Sequence, residues 1–174
     1  ELSSELSSEL SEETDILPLR FKKPWSVYFA GLNKTIRRDT LFDWTDEQDH
    51  SIRYYSGRAV YTNTFNWTDD RKMPVAYLRL GRGENIAVIK LNGVECGTAW
   101  TAPYQVEVTA ALRKGKNTLE IEIINTWANA IRGMDRGEPP FNGIWTNARY
   151  RLDGTQLVPA GLFGPLEMRL SVSP

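Results

Sequence analysis

The 174-residue chain has few of the residues that most often build metal sites and disulfides. It contains one cysteine, Cys96, and one histidine, His50. A single cysteine excludes a disulfide within the chain and a cysteine-rich zinc site, and a single histidine excludes a histidine cluster. Neither a disulfide scaffold nor a zinc-binding domain is therefore expected.

An excess of charge and long apolar runs are also missing. The 21 Lys and Arg balance 22 Asp and Glu, which leaves a net charge of −1 at pH 7. Nucleic-acid-binding proteins usually carry a basic excess, because contacts to phosphates supply most of their affinity. No apolar run approaches the ~20 residues that a membrane-spanning helix needs. We therefore predict no nucleic acid and no membrane among the partners.

Aromatic residues are the one compositional excess, with six Trp and seven Tyr. Flat aromatic side chains suit a dense β core or a surface on which sugar rings stack. A chain of this length removes roughly 70% of its surface from water on folding, so a core needs no disulfides. Because the chain starts at Glu1 without a Met or a secretion signal, we expect it to be a piece of a longer protein.

The first twenty residues differ from the remainder in their pattern of apolar and polar residues. Leu2, Leu6 and Leu10 recur at a spacing of four, which indicates one apolar stripe on a helix too short to be stable alone. We predict a helical or disordered tail, or a linker from a preceding domain, over residues 1–20. A single domain is predicted over residues 21–174.

Short segments of alternating apolar and polar residues follow, separated by turn residues. Asn92-Gly93 is the strongest hairpin signal, because both turn positions favour positive φ. The spacing of the segments predicts an all-β fold, an antiparallel sandwich or jelly roll. A long polar stretch over 125–159 interrupts the pattern. The predicted strands lie at 25–29, 58–65, 76–80, 86–91, 105–108, 118–124 and 166–170.

An acidic cluster is the only candidate metal site. Asp43 and Asp46, with Glu47 and Asp49 nearby, could supply oxygen ligands to a structural Ca²⁺. The same residues also fit the capped start of a short helical turn around Thr45. Both interpretations stay open, and no other cofactor is expected.

Two sets of short motifs run through the chain between about Pro24 and Leu170. The central motifs are Ser56–Tyr61, Leu91–Gly93, Gly97, Trp100, Pro103-Tyr104, Val108-Thr109, Gly115–Asn117 and Glu120–Ile123. The flanking motifs are Phe42–Thr45, Ile52–Gly57, Asn125–Asn129 and Gly161–Pro165. The central set resembles the sugar-binding, galactose-binding-like jelly-roll domain of glycoside hydrolase family 2. The flanking set resembles the C-terminal β-sandwich of large α-L-rhamnosidase-like hydrolases.

The resemblance implies a non-catalytic domain that packs on the catalytic domain of its parent chain and holds carbohydrate, such as a plant or host glycan, near it. Hydrolysis of O-glycosyl bonds then belongs to carboxylates of a separate barrel domain, and the parent acts outside the cytoplasm. The chain departs from the family at Ala130, where an arginine is expected. Arg132 lies two residues further on and is the candidate to replace it.

Aromatic residues beside polar ones are the candidate sugar contacts, because a pyranose ring stacks on an aromatic face while neighbouring groups bond its hydroxyls. The predicted carbohydrate-binding residues are Trp100, Tyr104, Trp127, Asn129, Arg132 and Trp145. Packing in the core or at its edge is the alternative for these tryptophans and for Trp25.

Two alternative functions remain open. A purely structural interdomain module would bury these aromatics and leave an apolar face uncovered. A contribution to glycosidic hydrolysis would need two carboxylates facing each other, one with a pKa shifted by burial. Asp135 and Glu138, in the long polar stretch, are the candidates for that pair.

Overall fold

The computed structural model of the chain describes residues 14–69, 75–147 and 156–171. Within these ranges the chain forms ten β-strands and two short α-helices. The strands are β1 (Thr14–Pro18), β2 (Trp25–Phe29), β3 (Lys34–Arg38), β4 (Arg58–Trp67), β5 (Val75–Arg79), β6 (Ile86–Leu91), β7 (Val94–Ala99), β8 (Gln105–Glu107), β9 (Gly115–Ile124) and β10 (Glu167–Ser171). The helices are α1 (His50–Arg53) and α2 (Ala128–Asp135).

The strands form two sheets that enclose one hydrophobic core. The smaller sheet has the order β1-β10-β5-β8, and the larger has the order β3-β2-β4-β9-β6-β7. Every strand pair is antiparallel. This arrangement confirms the predicted all-β sandwich of the galactose-binding-like class.

The longest strands, β4 and β9, pair along all ten of their residues in the middle of the larger sheet. Their side chains alternate between the core and the outer face, as the period of two in the sequence predicts. Tyr61 of β4 and Leu119 and Ile121 of β9 are fully buried, whereas Arg58 and Lys116 are exposed. The core face therefore carries the hydrophobic residues and the outer face carries the charges.

The predicted hairpin turn is confirmed. Asn92 has a φ of 53° and Gly93 a φ of 81°, and together they connect β6 to β7. The Asn92 side chain stabilises this corner by accepting from the Thr118 amide at 2.9 Å and donating to the Ala111 carbonyl at 2.8 Å.

Three segments differ from the sequence prediction. Residues 14–18, assigned to the tail, form the edge strand β1, which pairs with β10. The charged segment Lys34–Arg38 forms β3, an edge strand of the larger sheet. The polar stretch over 125–159 contains α2, which begins directly after Trp127. The leucine stripe at residues 2–10 lies outside the described residues.

Candidate functional site

Three connections meet at one end of the larger sheet, and we call them the loop end. They are residues 80–85, 100–104 and 125–127, which lead into β6, out of β7 and out of β9. Ile86 pairs with Ile124, and Ala87 pairs with Ala99, so these connections lie side by side. Three of the six predicted carbohydrate-binding residues fall on them, namely Trp100, Tyr104 and Trp127.

Trp100 forms one wall of a small cleft at the loop end. The cleft has a volume of 180 Å³ and is also lined by Glu84, Asn85 and Thr126. The Trp100 residue is 72% exposed. Glu84 is held in place by Arg82, whose Nε lies 3.0 Å from a carboxylate oxygen. An exposed aromatic surface thus lies beside carboxylate, amide and hydroxyl groups, which is the combination that sugar sites use.

Tyr104 packs against Gly83, which is one of the residues around this cleft. Its ring packs so closely on Gly83 that a Cβ there would lie 2.7 Å from a ring carbon. Its backbone carbonyl accepts from the Leu80 amide at 2.9 Å. Burial raises the pKa of the Tyr104 phenol to about 12, so the hydroxyl stays protonated at neutral pH. Tyr104 joins two of the connections.

Trp127 and Trp145 are exposed tryptophans as well. Trp127 follows Thr126 of the cleft, is 58% exposed, and has its ring centroid 6.1 Å from that of Phe141. Trp145 is 80% exposed. Arg132 lies on α2, just over one turn beyond Trp127, and is half-buried. The structure therefore brings Trp100 and Trp127 to the same end of the sheet, with Arg132 close by in sequence.

Asn129 has a different role from the one predicted. The residue is 1% exposed, and its amide donates to the Val158 carbonyl at 2.7 Å and accepts from the Val158 amide at 2.9 Å. Both ends of the side chain are thus occupied by backbone. Asn129 fastens α2 to the segment at 158.

Ala130, where the family resemblance leads one to expect arginine, is fully buried. Its amide lies 3.2 Å from the Ser56 hydroxyl, to which it donates. A long charged side chain at this position would have to be accommodated inside the packed domain. The local packing therefore fits the alanine that this chain has in place of the expected arginine.

The remaining family motifs hold the loop end together. Asn125 donates to the Tyr55 carbonyl and accepts from the Gly57 amide, both at 2.8 Å. Gly161 has a φ of +121°, and a Cβ there would lie 2.9 Å from the Phe42 carbonyl oxygen. Motifs that lie far apart in the sequence are thus in direct contact in the fold. They are the motifs at 42–45, 52–57, 125–129 and 161–165.

The acidic cluster forms caps. Asp43 accepts from the Thr45 amide at 3.0 Å and from the Ala160 amide at 3.1 Å, and it caps a 3-10 turn that ends at Asp46. A capped turn is present, but it starts earlier than predicted: Asp43 is the cap, and Thr45 lies within the turn. Residues 14–69, 75–147 and 156–171 contain no group of three His, Cys, Asp or Glu side chains that could hold a metal ion. Calcium binding at Asp43 and Asp46 thus gains no support from the geometry.

Asp49 caps α1 and is the carboxylate whose electrostatics are most strongly perturbed among those described. Hydrogen bonds from Lys34 and from the Ser51 hydroxyl lower the pKa of Asp49 to about 2. The Lys34 ammonium also forms an ion pair with it. This contact joins β3 to α1.

Of the two candidate catalytic carboxylates, Glu138 is in contact with neighbouring side chains. Its Oε2 accepts from the Tyr54 hydroxyl at 2.8 Å, and its Oε1 lies 3.6 Å from His50 Nε2. Tyr54 also packs on Gly133 of α2, where a Cβ would lie 2.6 Å from its ring. Glu138 thus helps to fix α2 against α1. Asp135 is the last residue of α2 and also has an interaction partner.

The fold and the loop end define a galactose-binding-like β-sandwich with an aromatic surface at one end. The family model for the glycosyl hydrolase 2 galactose-binding domain-like group matches residues 7–158. The chain belongs to this family.

Two relatives at 33% identity place the chain near enzymes that act on sugars. One is a solved rhamnosidase from Novosphingobium sp. PP1Y, with a TM-score of 0.75 over 89% of this chain and 15% of that one. The other is a curated protein named "Putative beta-glucuronidase" from Formosa agariphila, which matches over 125 residues, 68% of this chain and 11% of its own length.

A solved β-D-glucuronidase from Dictyoglomus thermophilum shares the fold. It has a TM-score of 0.63 and 18% identity, over 92% of this chain and 28% of its own. The chain therefore spans well under a third of each of these relatives.

None of the helices within the described ranges is long and apolar enough to cross a membrane.

Proposed function

We propose that this chain is a non-catalytic ancillary domain of a glycoside hydrolase that binds carbohydrate at its loop end. The observation that carries the proposal is the exposure of Trp100, Trp127 and Trp145, which are 72%, 58% and 80% exposed. Large indole side chains in contact with water are uncommon away from binding surfaces. The other three tryptophans, Trp25, Trp44 and Trp67, are at most 6% exposed.

The cleft beside Trp100 favours a small ligand. Its 180 Å³ is below the range of about 300–1,000 Å³ that is typical of pockets for drug-sized molecules. One sugar unit, stacked on the indole with hydroxyls bonded by Glu84 and Thr126, fits this geometry better than an enclosed oligosaccharide does. The names of the relatives suggest rhamnose and glucuronic acid as the first sugars to test.

The domain contributes to hydrolysis by holding substrate and by packing on the catalytic domain of its parent chain. A tethered domain raises the local concentration of substrate to about millimolar without tight binding. The carboxylates that cleave the glycosidic bond lie elsewhere in the parent in this proposal, because Glu138 supports α2 through Tyr54. A location of the parent outside the cytoplasm stays a prediction.

Titration of the chain with sugars, followed by tryptophan fluorescence, tests the proposal. The panel contains L-rhamnose, D-glucuronic acid and galactose, together with plant polysaccharides. We expect a saturable change in emission that Trp100→Ala or Trp127→Ala weakens at least tenfold. Tyr28→Ala is the matched control, because Tyr28 is also an exposed aromatic residue but lies on β2.

A flat response to every sugar in a folded sample would contradict carbohydrate binding. It would favour the alternative of a purely structural module, in which the exposed tryptophans contact the catalytic domain. A response that Tyr28→Ala weakens as much as Trp100→Ala does would contradict the loop end as the site.

A further inference from the structure

We propose that the chain has a second binding site, a basic groove for an acidic polysaccharide that carries carboxylate or sulfate groups on successive sugar units. The groove lies where the connection between β1 and β2 crosses the ends of β4 and β9. It has a volume of 540 Å³ and is lined by Arg20, Lys22, Lys23, Thr64, Phe65, Asn66 and Lys116. The inference takes its ligand class from the proposed function but uses a separate surface.

Positive charge is concentrated in this groove. Arg20, Lys22, Lys23 and Lys116 are all exposed, and no carboxylate belongs to the described lining of the groove. Further along β9 on the same face, acids lie beside bases: Glu122 pairs with Arg58 at 3.0 Å, and Glu120 lies opposite Lys90. A net charge of −1 for the whole chain makes this local excess of four cations stand out.

The basic side chains project from a backbone that is held in place. The Leu19 amide donates to the Leu166 carbonyl at 2.9 Å, and the Lys23 carbonyl accepts from the buried Asn63 side chain at 2.9 Å. Between them, the Phe21 ring packs 4.6 Å from Trp25, measured between centroids. Arg20 and Lys22 lie on either side of Phe21. A fixed backbone lowers the entropic cost of ordering a ligand.

Two neutral polar side chains, Thr64 and Asn66, belong to the lining of the groove and suit a sugar. Asn66 lies opposite Lys116, and Thr64 lies opposite Thr118, on the outer face of β4 and β9. Amide and hydroxyl groups bond sugar hydroxyls, while the ammonium and guanidinium groups bind anions. Phe65 faces the core and is 4% exposed, so the groove offers no aromatic platform of the kind on which unpaired bases stack. These features favour an acidic glycan over a nucleic acid.

The groove is distinct from the loop end. Lys116 lies near the start of β9, and Ile124, which lines the cleft beside Trp100, is its last residue. The two residues are eight positions apart along the strand, which is about 26 Å. A substitution in one site therefore leaves the residues of the other site in place.

Binding of matched charged and neutral polymers to the whole chain tests the inference. Polygalacturonate is compared with its fully methyl-esterified form, and dextran sulfate with dextran, by isothermal titration at low salt. We expect at least one acidic polymer to bind ten times more tightly than its neutral counterpart, and the affinity to fall as salt is raised. The triple variant Lys22→Gln, Lys23→Gln, Lys116→Gln should lose at least tenfold in affinity.

The matched control is the triple variant Arg37→Gln, Arg79→Gln, Lys90→Gln. It removes the same charge from exposed positions outside the groove and should change the affinity less than twofold. Trp100→Ala should also leave binding of the acidic polymer unchanged, whether or not the loop end binds a sugar. Circular dichroism confirms that each variant is folded.

Four results would overturn the inference: no binding to either acidic polymer, equal losses in the two triple variants, loss of binding in Trp100→Ala, or tighter binding of single-stranded DNA than of both polymers. The second would indicate diffuse attraction by the whole surface. The third would indicate a single site at the loop end, and the fourth a nucleic-acid site.

Discussion

At the scale of single residues, asparagine side chains hold the loops that carry the exposed tryptophans. Asn125 binds the backbone on either side of Ser56, and Asn129 binds both backbone groups of Val158. Asn117 makes a similar set of contacts at the turn before β9, donating to the Arg113 and Gly115 carbonyls. A primary amide suits this role, because its donor and acceptor match those of a peptide group.

Replacing Asn129 by alanine is expected to destabilise the fold. The change removes both hydrogen bonds to the Val158 backbone from a side chain that is 1% exposed, at a cost of about 1–3 kcal/mol. Urea denaturation measures the loss in the free energy of unfolding. Asn66→Ala, at an exposed position on β4, should cost less than about 0.5 kcal/mol. A cost for Asn129→Ala as small as that of Asn66→Ala would contradict the structural role of Asn129.

Asp49 is expected to make stability depend on pH. Because folding lowers its pKa from 3.8 to about 2, the contacts of the ionised carboxylate stabilise the fold above about pH 4. This contribution is lost as the pH falls from about 4 to 2. The difference in unfolding free energy between wild type and Asp49→Asn should therefore shrink over that interval. Since the Asp49 side chain is 37% exposed, we expect a difference at neutral pH of about 1 kcal/mol or less.

Denaturation of both proteins at several pH values between 2 and 6 measures this difference. Lys34→Met, which removes the largest cause of the pKa shift and leaves the Ser51 contacts, should reproduce part of it. A difference that stays constant across the interval would show that Asp49 has no depressed pKa in the folded chain.

At the scale of secondary-structure elements, the sequence predicts the strands whose pattern is set by the core. β2 and β6 match the predicted segments residue for residue, because buried and outward positions alternate along both. The edge strands β1 and β3 were not predicted. β3 is rich in charges that suit an exposed edge, and β1 is recognisable only through its pairing with β10.

The short helix α2 and the burial of its residues also could not be predicted. Eight residues including Gly133 carry a weak helical signal, and Gly133 is needed because Tyr54 packs against it. Nor does local sequence distinguish a core tryptophan from an exposed one. Trp67 ends β4 and Trp100 follows β7, yet Trp67 is 6% exposed and Trp100 is 72% exposed. These outcomes depend on contacts between distant segments.

Removal of β1 is expected to destabilise the domain, although residues 14–18 lie within the predicted tail. β1 pairs with β10 along five residues, and Leu17 and Leu19 pack against the core. A chain that starts at residue 21 should melt about 5–10 °C below one that starts at residue 14, which corresponds to a loss of a few kcal/mol. Thermal unfolding of the two truncated chains measures the shift. Equal melting temperatures would show that β1 adds nothing to stability.

At the scale of the whole molecule, the sandwich separates two kinds of surface. The loop end presents indole rings beside polar groups, and the basic groove at the other end of β9 presents four cations. Both surfaces lie at the ends of the paired strands β4 and β9, which form the middle of the larger sheet. A domain of this kind presents two separate surfaces to glycans, and each can be removed by substitution without the other.

The central claim is that the exposed tryptophans form a carbohydrate-binding surface. The most direct test is a proton–nitrogen correlation spectrum of the six indole N–H groups, recorded while L-rhamnose or D-glucuronic acid is added. The account predicts that saturable shifts are confined to Trp100, Trp127 and Trp145, while Trp25, Trp44 and Trp67 stay fixed in the core. Spectra in which no indole signal moves with any sugar, or in which only the three core signals move, would contradict it.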